Sequence, residues 1–185
     1  GFEESSRILQ AAGVRIAPYI NGRIWDQSTP LWSTVGRPAA AKQVDGSSLY
    51  AEQYGSHAQF AVMCPATQTW QSTIAEAVRY LVEDFGVDGV YIDQIASAGP
   101  RNCWDASHGH ERGGGHSWVD GYQQMLAAVR SATGNSAVLL TEDNAEAFMN
   151  GINVYLSLTG FAAADFAGQS VMANAFGAVY GGLYL

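Results

Sequence analysis

DFGVDGVYIDQI, residues 84–95, decides the fold. Gly86 stops a helix, and the β-branched and aromatic run Val90, Tyr91, Ile92 makes a strand that ends in an acid, Asp93. SAVLLTED, residues 136–143, repeats the pattern and places Glu142 at the end of a second apolar strand. An acid at the carboxyl end of a strand in a parallel α/β sheet lies on the edge where such proteins do their chemistry. Two such acids on neighbouring strands can face each other across one cleft, the arrangement that cleavage of a glycosidic bond requires.

Helical spacing surrounds both strands. Residues 70–85 carry Ile74, Val78, Leu81, Val82 and Phe85 on one face, and residues 117–132 do the same with Trp118, Tyr122, Met125, Leu126 and Val129. Upstream, SSRILQAAG (5–13) reads as a helix end stopped by Gly13, followed by the strand VRIAPYI (14–20) and a turn at Asn21–Gly22. Residues 26–57 are loop-like, and QFAVMCP (59–65) is a further strand closed by Pro65. Downstream come a short helical piece NAEAFMNG (144–151), the strand INVYLSL (152–158), a helical piece around 170–176 and the apolar run AVYGGLYL (178–185).

Six strand-like segments, the later ones separated by helices, predict parallel βαβ units. No GxGxxG or P-loop follows any strand, so the nucleotide-binding open sheet has no support and no cofactor is expected. Polar residues end strand after strand (Asn21, Asp93, Glu142, Ser157), which favours a (β/α)8 TIM barrel. A full barrel takes about 250 residues. The expected fold is therefore α/β, a partial TIM barrel forming one incomplete catalytic domain over residues 1–185, cut at both ends. Further domains are expected in the full-length chain.

A net charge of −8 with only nine basic residues argues against a nucleic-acid partner. No stretch of about 18 apolar residues occurs, so no membrane span is expected. An acidic chain rich in Trp and Tyr fits a neutral ligand, and sugars are one such class. The compartment is not readable, secreted and periplasmic settings both staying open. Cys64 and Cys103 can make at most one disulfide; Cys64, ending an apolar strand, reads as a buried free thiol, and Cys103 lies in a loop.

The candidate site residues each carry two readings. Asp93 is either a catalytic carboxylate or a loop cap, and the long Gly- and His-rich segment after it favours catalysis. Beyond Glu142, Asp143 or Asn144 can cap the short helix near Ala145, and Glu146 can touch substrate on the same turn. One of two paired carboxylates would stay ionised while the other keeps its proton. YINGRIWD brings together Tyr19, Asn21, Arg23 and Trp25, a mixture suited to sugar CH faces and hydroxyls but equally to a Tyr and Trp core with Arg23 on the surface. In HGHERGGGH, His108 and His110 either bind sugar or, through His-x-His spacing, a zinc ion; the glycine content argues against a structural metal frame, and no metal is assigned.

Together APYINGRIWD, FAVMCPATQTWQ, GVDGVYIDQI with its following C…HGH…GGGH loop, LLTEDNAE and AVYGG resemble a bacterial family of glycoside-hydrolase-like (β/α)8 barrels, mostly of unknown function (DUF6259-like). That family is distantly similar to retaining α-galactosidase and endo-α-N-acetylgalactosaminidase barrels. The resemblance implies a carbohydrate substrate and a retaining mechanism with an Asp nucleophile on the fourth strand, matched by Asp93. It implies an acid/base on a later strand, for which Glu142 is chosen; the α-galactosidase relatives use an Asp on the sixth strand, so Asp165 is a rival. Two alternatives stand beside the glycosidase: a metal-dependent hydrolase or deacetylase using His108, His110, His116 and Asp93, and a non-catalytic carbohydrate-binding barrel.

Overall fold

The computed structural model describes residues 1–156 together with Val179. In chain order its elements are α1 (Phe2–Ala11), β1 (Tyr19–Asn21), β2 (Ile24–Asp26), a π-turn (Trp32–Gly36), the single turn α2 (Arg37–Ala39), β3 (Ala51–Glu52) and β4 (Phe60–Val62). There follow α3 (Gln68–Glu83), β5 (Gly89–Asp93), α4 (Ser117–Thr133), β6 (Val138–Glu142), a 3₁₀ turn (Glu146–Phe148) and β7 (Val154–Leu156). Ser157, the end of INVYLSL, Asp165, the helical piece around 170–176 and AVYGGLYL lie outside the described residues.

Four strands, β1, β5, β6 and β7 in that spatial order, form a parallel sheet. The helices that cover it begin and end where local chemistry dictates. Thr67 caps α3 by accepting the Trp70 N–H, and Gly134, at φ +63°, closes α4 in a backbone region that other residues resist. Trp70, Ile74 and Val78 of α3 meet Tyr122, Met125, Leu126 and Val129 of α4 in one core with Val90, Ile92 and Leu139 of the sheet. Each fully buried side chain of this kind contributes about 1.5–3 kcal/mol.

Burial alternates along these strands, so they are buried on one face only. Val90, Ile92, Leu139 and Thr141 have no exposed surface, whereas Tyr19 is 57 % and Leu156 47 % exposed on the opposite face. The apolar residues Tyr91 and Leu140 on that second face hide the period of two in the sequence. Among the described residues the strands do not close into a barrel. The fold is mixed α/β with a parallel sheet.

Two expectations are corrected. QFAVMCP does not join the parallel sheet: β4 pairs antiparallel with β2 and β3 in a separate three-stranded sheet. The cause lies at Asn21, whose Oδ1 accepts the N–H groups of Arg23 and Ile24 and turns the chain out of the parallel ladder. VRIAPYI is also shorter than expected, because Pro18 has no N–H to donate and only Tyr19–Asn21 form a ladder. Residues before it are held instead by Asp88, whose carboxylate accepts the Ile16 N–H, the Gln10 amide and Arg15, keeping that carboxyl down at about 2.

Helix α4 rests directly on backbone. A Cβ built on Gly121 would lie 2.5 Å from both the Ala66 nitrogen and the Pro65 carbonyl carbon. In Gly121→Ala the helix gains about 1 kcal/mol of propensity, but forcing that contact apart costs about 1–3 kcal/mol. The second effect wins because its neighbours are backbone and cannot rotate away. Chemical denaturation of the variant is expected to show a lower midpoint with an unchanged slope.

Candidate active site

The parallel register assembles the site. Asn21 of β1 lies directly beside Asp93 of β5, and the β5–β6 register, with Tyr91 opposite Leu140, carries Glu142 to its other side. Asp93 is 9 % exposed. Its Oδ2 accepts the Tyr19 hydroxyl at 2.8 Å, its Oδ1 accepts the Gln94 N–H at 2.7 Å, and the Glu142 carboxyl faces it at hydrogen-bonding range. Ser97 donates to Glu142 Oε2 at 3.2 Å. Around them a polar chain continues: Asn21 donates to the Tyr19 hydroxyl and to Gln94 Oε1, Gln94 to the Tyr54 hydroxyl, and Tyr54 to Glu52.

Both acids are followed by a residue in the left-handed region. Gln94 has φ +64° and Asp143 φ +58°, and these are the non-glycine positions with positive φ among the described residues. Backbone held in this region costs on the order of 1–3 kcal/mol per residue and tends to gather at functional sites. Here it turns the chain sharply off each strand, which lets the Gln94 N–H reach back to the Asp93 carboxylate.

The electrostatics follow from the contact between the carboxyls. Glu142 is held above its ordinary range, first by the hydrogen bond its protonated form makes to Asp93, then by burial and by the Asp93 charge; the Ser97 hydroxyl opposes this. Burial and the two nearby carboxylates push the Tyr91 hydroxyl up to about 12. One carboxyl of the pair therefore keeps a proton at a pH where an isolated one would lose it. Beside Asp93 opens a cleft of about 680 Å³, with Tyr19, Tyr54 and Phe60 as aromatic surface and Asn21, Gln94 and Asp93 as polar groups.

The sequence-expected residues separate into those that reach this cleft and those that do not. Asp93, Tyr19 and Asn21 line it, and Glu142 lies beside Asp93 on the next strand without lining it. Arg23 is only 1 % exposed, bonded to the Gly99 carbonyl and to Glu52 and stacked over the Trp118 ring, so it braces the loops and is not free to bind sugar. Trp25 donates to Thr29 Oγ1 and packs against Trp70, as the core alternative for it required. Glu146 is exposed at the start of the 3₁₀ turn. His116 is exposed at the start of α4. His108 and His110 turn away from Asp93 toward Cys64 and Cys103, both of them buried free thiols. Gln94, Ser97 and Tyr54 were missed. Gln94 and Ser97 follow Asp93 closely in DQIAS and could have been found by extending the strand-end argument into the loop; Tyr54 carries no local signal.

A parallel α/β sheet with paired acids at its carboxyl edge defines the class of protein. The chain belongs to the family described as Domain of unknown function (DUF6259), which matches residues 1–185. A relative from Monosiga brevicollis, provisionally named a glycoside hydrolase, is 39 % identical over 97 % of this chain. Another from Bacteroides thetaiotaomicron, with a similar provisional name, is 35 % identical over 81 % of it. The chain spans only 16 % and 22 % of those relatives' lengths. Since Monosiga is a choanoflagellate, the relatives are not confined to bacteria as the resemblance implied. In fold, an α-galactosidase from Thermus thermophilus superposes with TM-score 0.61 over 84 % of this chain and 29 % of its own, at 16 % identity. The α-N-acetylgalactosaminidase NagBb from Bifidobacterium bifidum gives 0.64 over 83 % and 24 %, at 11 % identity.

Proposed function

We propose that this chain carries the catalytic acids of a retaining glycoside hydrolase acting on α-linked sugars, with its parallel sheet forming a sector of a (β/α)8 barrel. The observation that carries the reading is the placement of Asp93 and Glu142 on adjacent strand ends, with Asp93 lining an aromatic and polar cleft. The provisional names of the relatives and the glycosidases among the structural neighbours support it.

In this mechanism the Asp93 carboxylate attacks the anomeric carbon while Glu142 gives its proton to the departing glycosidic oxygen. The C–O bond to the leaving group breaks as the ester bond to Asp93 forms. Glu142, now ionised, then takes a proton from water, whose oxygen displaces Asp93 and releases the sugar. Tyr19 and Gln94 fix the orientation of the Asp93 carboxyl through the two bonds they donate to it. Asn21 orients both of them and Tyr54 accepts from Gln94, so the carboxyl is held by a connected set of bonds.

Retaining pairs sit about 5–5.5 Å apart around a substrate and inverting pairs about 6.5–9.5 Å, to admit a water. Carboxyls in mutual contact need the smaller opening to reach the retaining spacing. The full-length protein is expected to hydrolyse aryl α-galactosides or α-N-acetylgalactosaminides, and NMR of the first-formed sugar is expected to show the substrate's anomeric configuration. Release of the opposite anomer overturns the retaining assignment. Sugar binding without turnover of any aryl glycoside overturns the hydrolase.

A further inference from the structure

The site for which the sequence offers the clearest parts and the wrong assembly lies outside the cleft. Cys64, just after β4, meets Cys103, His108 and His110 of the long insert between β5 and α4, and one ligand atom from each lies within 4.8 Å of all the others. The two sulfurs are buried, and the His108 side chain is 4 % exposed. His110 Nε2 is 3.2 Å from Cys64 Sγ, and His108 Nδ1 is 3.4 Å from Cys103 Sγ. A tetrahedral zinc with bonds of about 2.3 Å to sulfur and 2.0–2.1 Å to nitrogen separates its ligand atoms by about 3.3–3.8 Å. These contacts are within a few tenths of an ångström of the edges of that tetrahedron.

The surrounding bonds point the same way. The far nitrogen of each imidazole lies on a backbone carbonyl: His108 Nε2 on Pro38 at 2.7 Å and His110 Nδ1 on Glu111 at 2.8 Å. A carbonyl oxygen only accepts, so each of those nitrogens holds the N–H and the lone pair of the other faces the sulfurs. Histidine ligands are oriented in this manner by the groups behind them. The Lys42 N–H is directed at Cys103 Sγ at 3.4 Å, the kind of backbone support that fixes a sulfur ligand in place. Ala41, Tyr50 and Ala66 wall the cluster from water.

We propose that Cys64, Cys103, His108 and His110 bind one zinc ion in a closed, structural Cys₂His₂ site. Two sulfur and two imidazole ligands select zinc among common divalent ions, and four protein ligands leave no position for a substrate. On binding, each thiol loses its proton to solvent and each histidine enters neutral. The ion ties the insert to the corner between β4 and α3. The same insert supplies Ser97 to Glu142, the Gly99 carbonyl to Arg23 and the Asn102 carbonyl to the Tyr50 hydroxyl, so the clamp fixes one wall of the candidate active site. It differs from the metal-dependent hydrolase alternative, because neither Asp93 nor His116 belongs to the cluster.

Full-length protein, purified without a polyhistidine tag, is expected to retain one zinc per chain after dialysis against a chelator. X-ray absorption is expected to show two sulfur neighbours at about 2.3 Å and two nitrogen neighbours at about 2.0–2.1 Å. His110→Ala, the mildest ligand loss, is expected to fold and to bind zinc at least about 100-fold more weakly in chelator competition, more than loss of an outer-shell partner causes. Cys103→Ser is expected to lose the metal and to lower Tm by several degrees. Three results overturn the proposal: no stoichiometric metal together with two reactive thiols, a Cys64–Cys103 disulfide in unreduced protein, or a zinc shell without sulfur.

Discussion

Asp93→Asn in the full-length protein is expected to lower kcat/KM for an aryl α-glycoside by about 10⁴-fold, equivalent to about 5 kcal/mol of transition-state stabilisation. The amide has the shape of the carboxylate and can still accept one bond from Tyr19 or Gln94, so the fold around β5 is retained. What is lost is the charge and the nucleophilic oxygen. A carboxylate that only caps the chain after β5 would produce a different result: a lower Tm and nearly unchanged turnover. The companion variant Asp93→Ala separates the two readings further, since it leaves space beside the anomeric carbon for an added anion. Azide is expected to restore turnover with an activated leaving group, forming a C–N bond as the aryl oxide departs. The glycosyl azide is expected to have the configuration opposite to the substrate, because one displacement replaces two. Activity of Asp93→Asn within tenfold of wild type sinks the nucleophile assignment.

How far such an argument could be made from the sequence depends on the distance over which the relevant information is spread. α3 and α4 were legible because their apolar spacing runs over 16 and 17 residues and glycines with positive φ stop the chain beyond them. β2, β3 and β4 have two or three residues each, too few to show a period or a direction, so their antiparallel sheet was invisible. Asn21, Asp93 and Glu142 were legible for a geometric reason: parallel pairing in register sets strand ends side by side, so residues at strand ends are neighbours whatever their separation in sequence. Arg23 and Trp25 lie only a few residues beyond Asn21, but the Asn21 turn sends them to another sheet and into the core. The Cys₂His₂ cluster shows the opposite failure. His-x-His was visible, but its partners come from β4's end and from an irregular loop, and no spacing rule joins them.

Glu142→Gln tests the other half of the pair through stability as well as rate. The folded pKa of Glu142 lies above its unfolded value. Folding therefore holds the Glu142 proton more tightly, and the stability this confers is fully present below the usual glutamate value. It is lost as pH rises through the raised folded value, above which ionised Glu142 repels Asp93. Glutamine stays neutral throughout, accepts from Ser97 and donates an N–H to Asp93, so it imitates the protonated acid at every pH. The variant is expected to match wild type in Tm at pH 4 and to exceed it at pH 8, with the difference opening between. Its kcat on a poor leaving group is expected to fall about 10²–10⁴-fold, the usual contribution of a proton-transfer group. On an activated aryl substrate, which needs no proton to depart, the first step is expected to fall far less. A structural glutamate cannot produce this combination. Removing a charge that merely stabilised the loop would lower Tm at all pH values and ignore the leaving group. A Tm difference independent of pH would show that Glu142 and Asp93 share no proton, and the acid/base role would then pass to another carboxylate, with Asp165 the first to test.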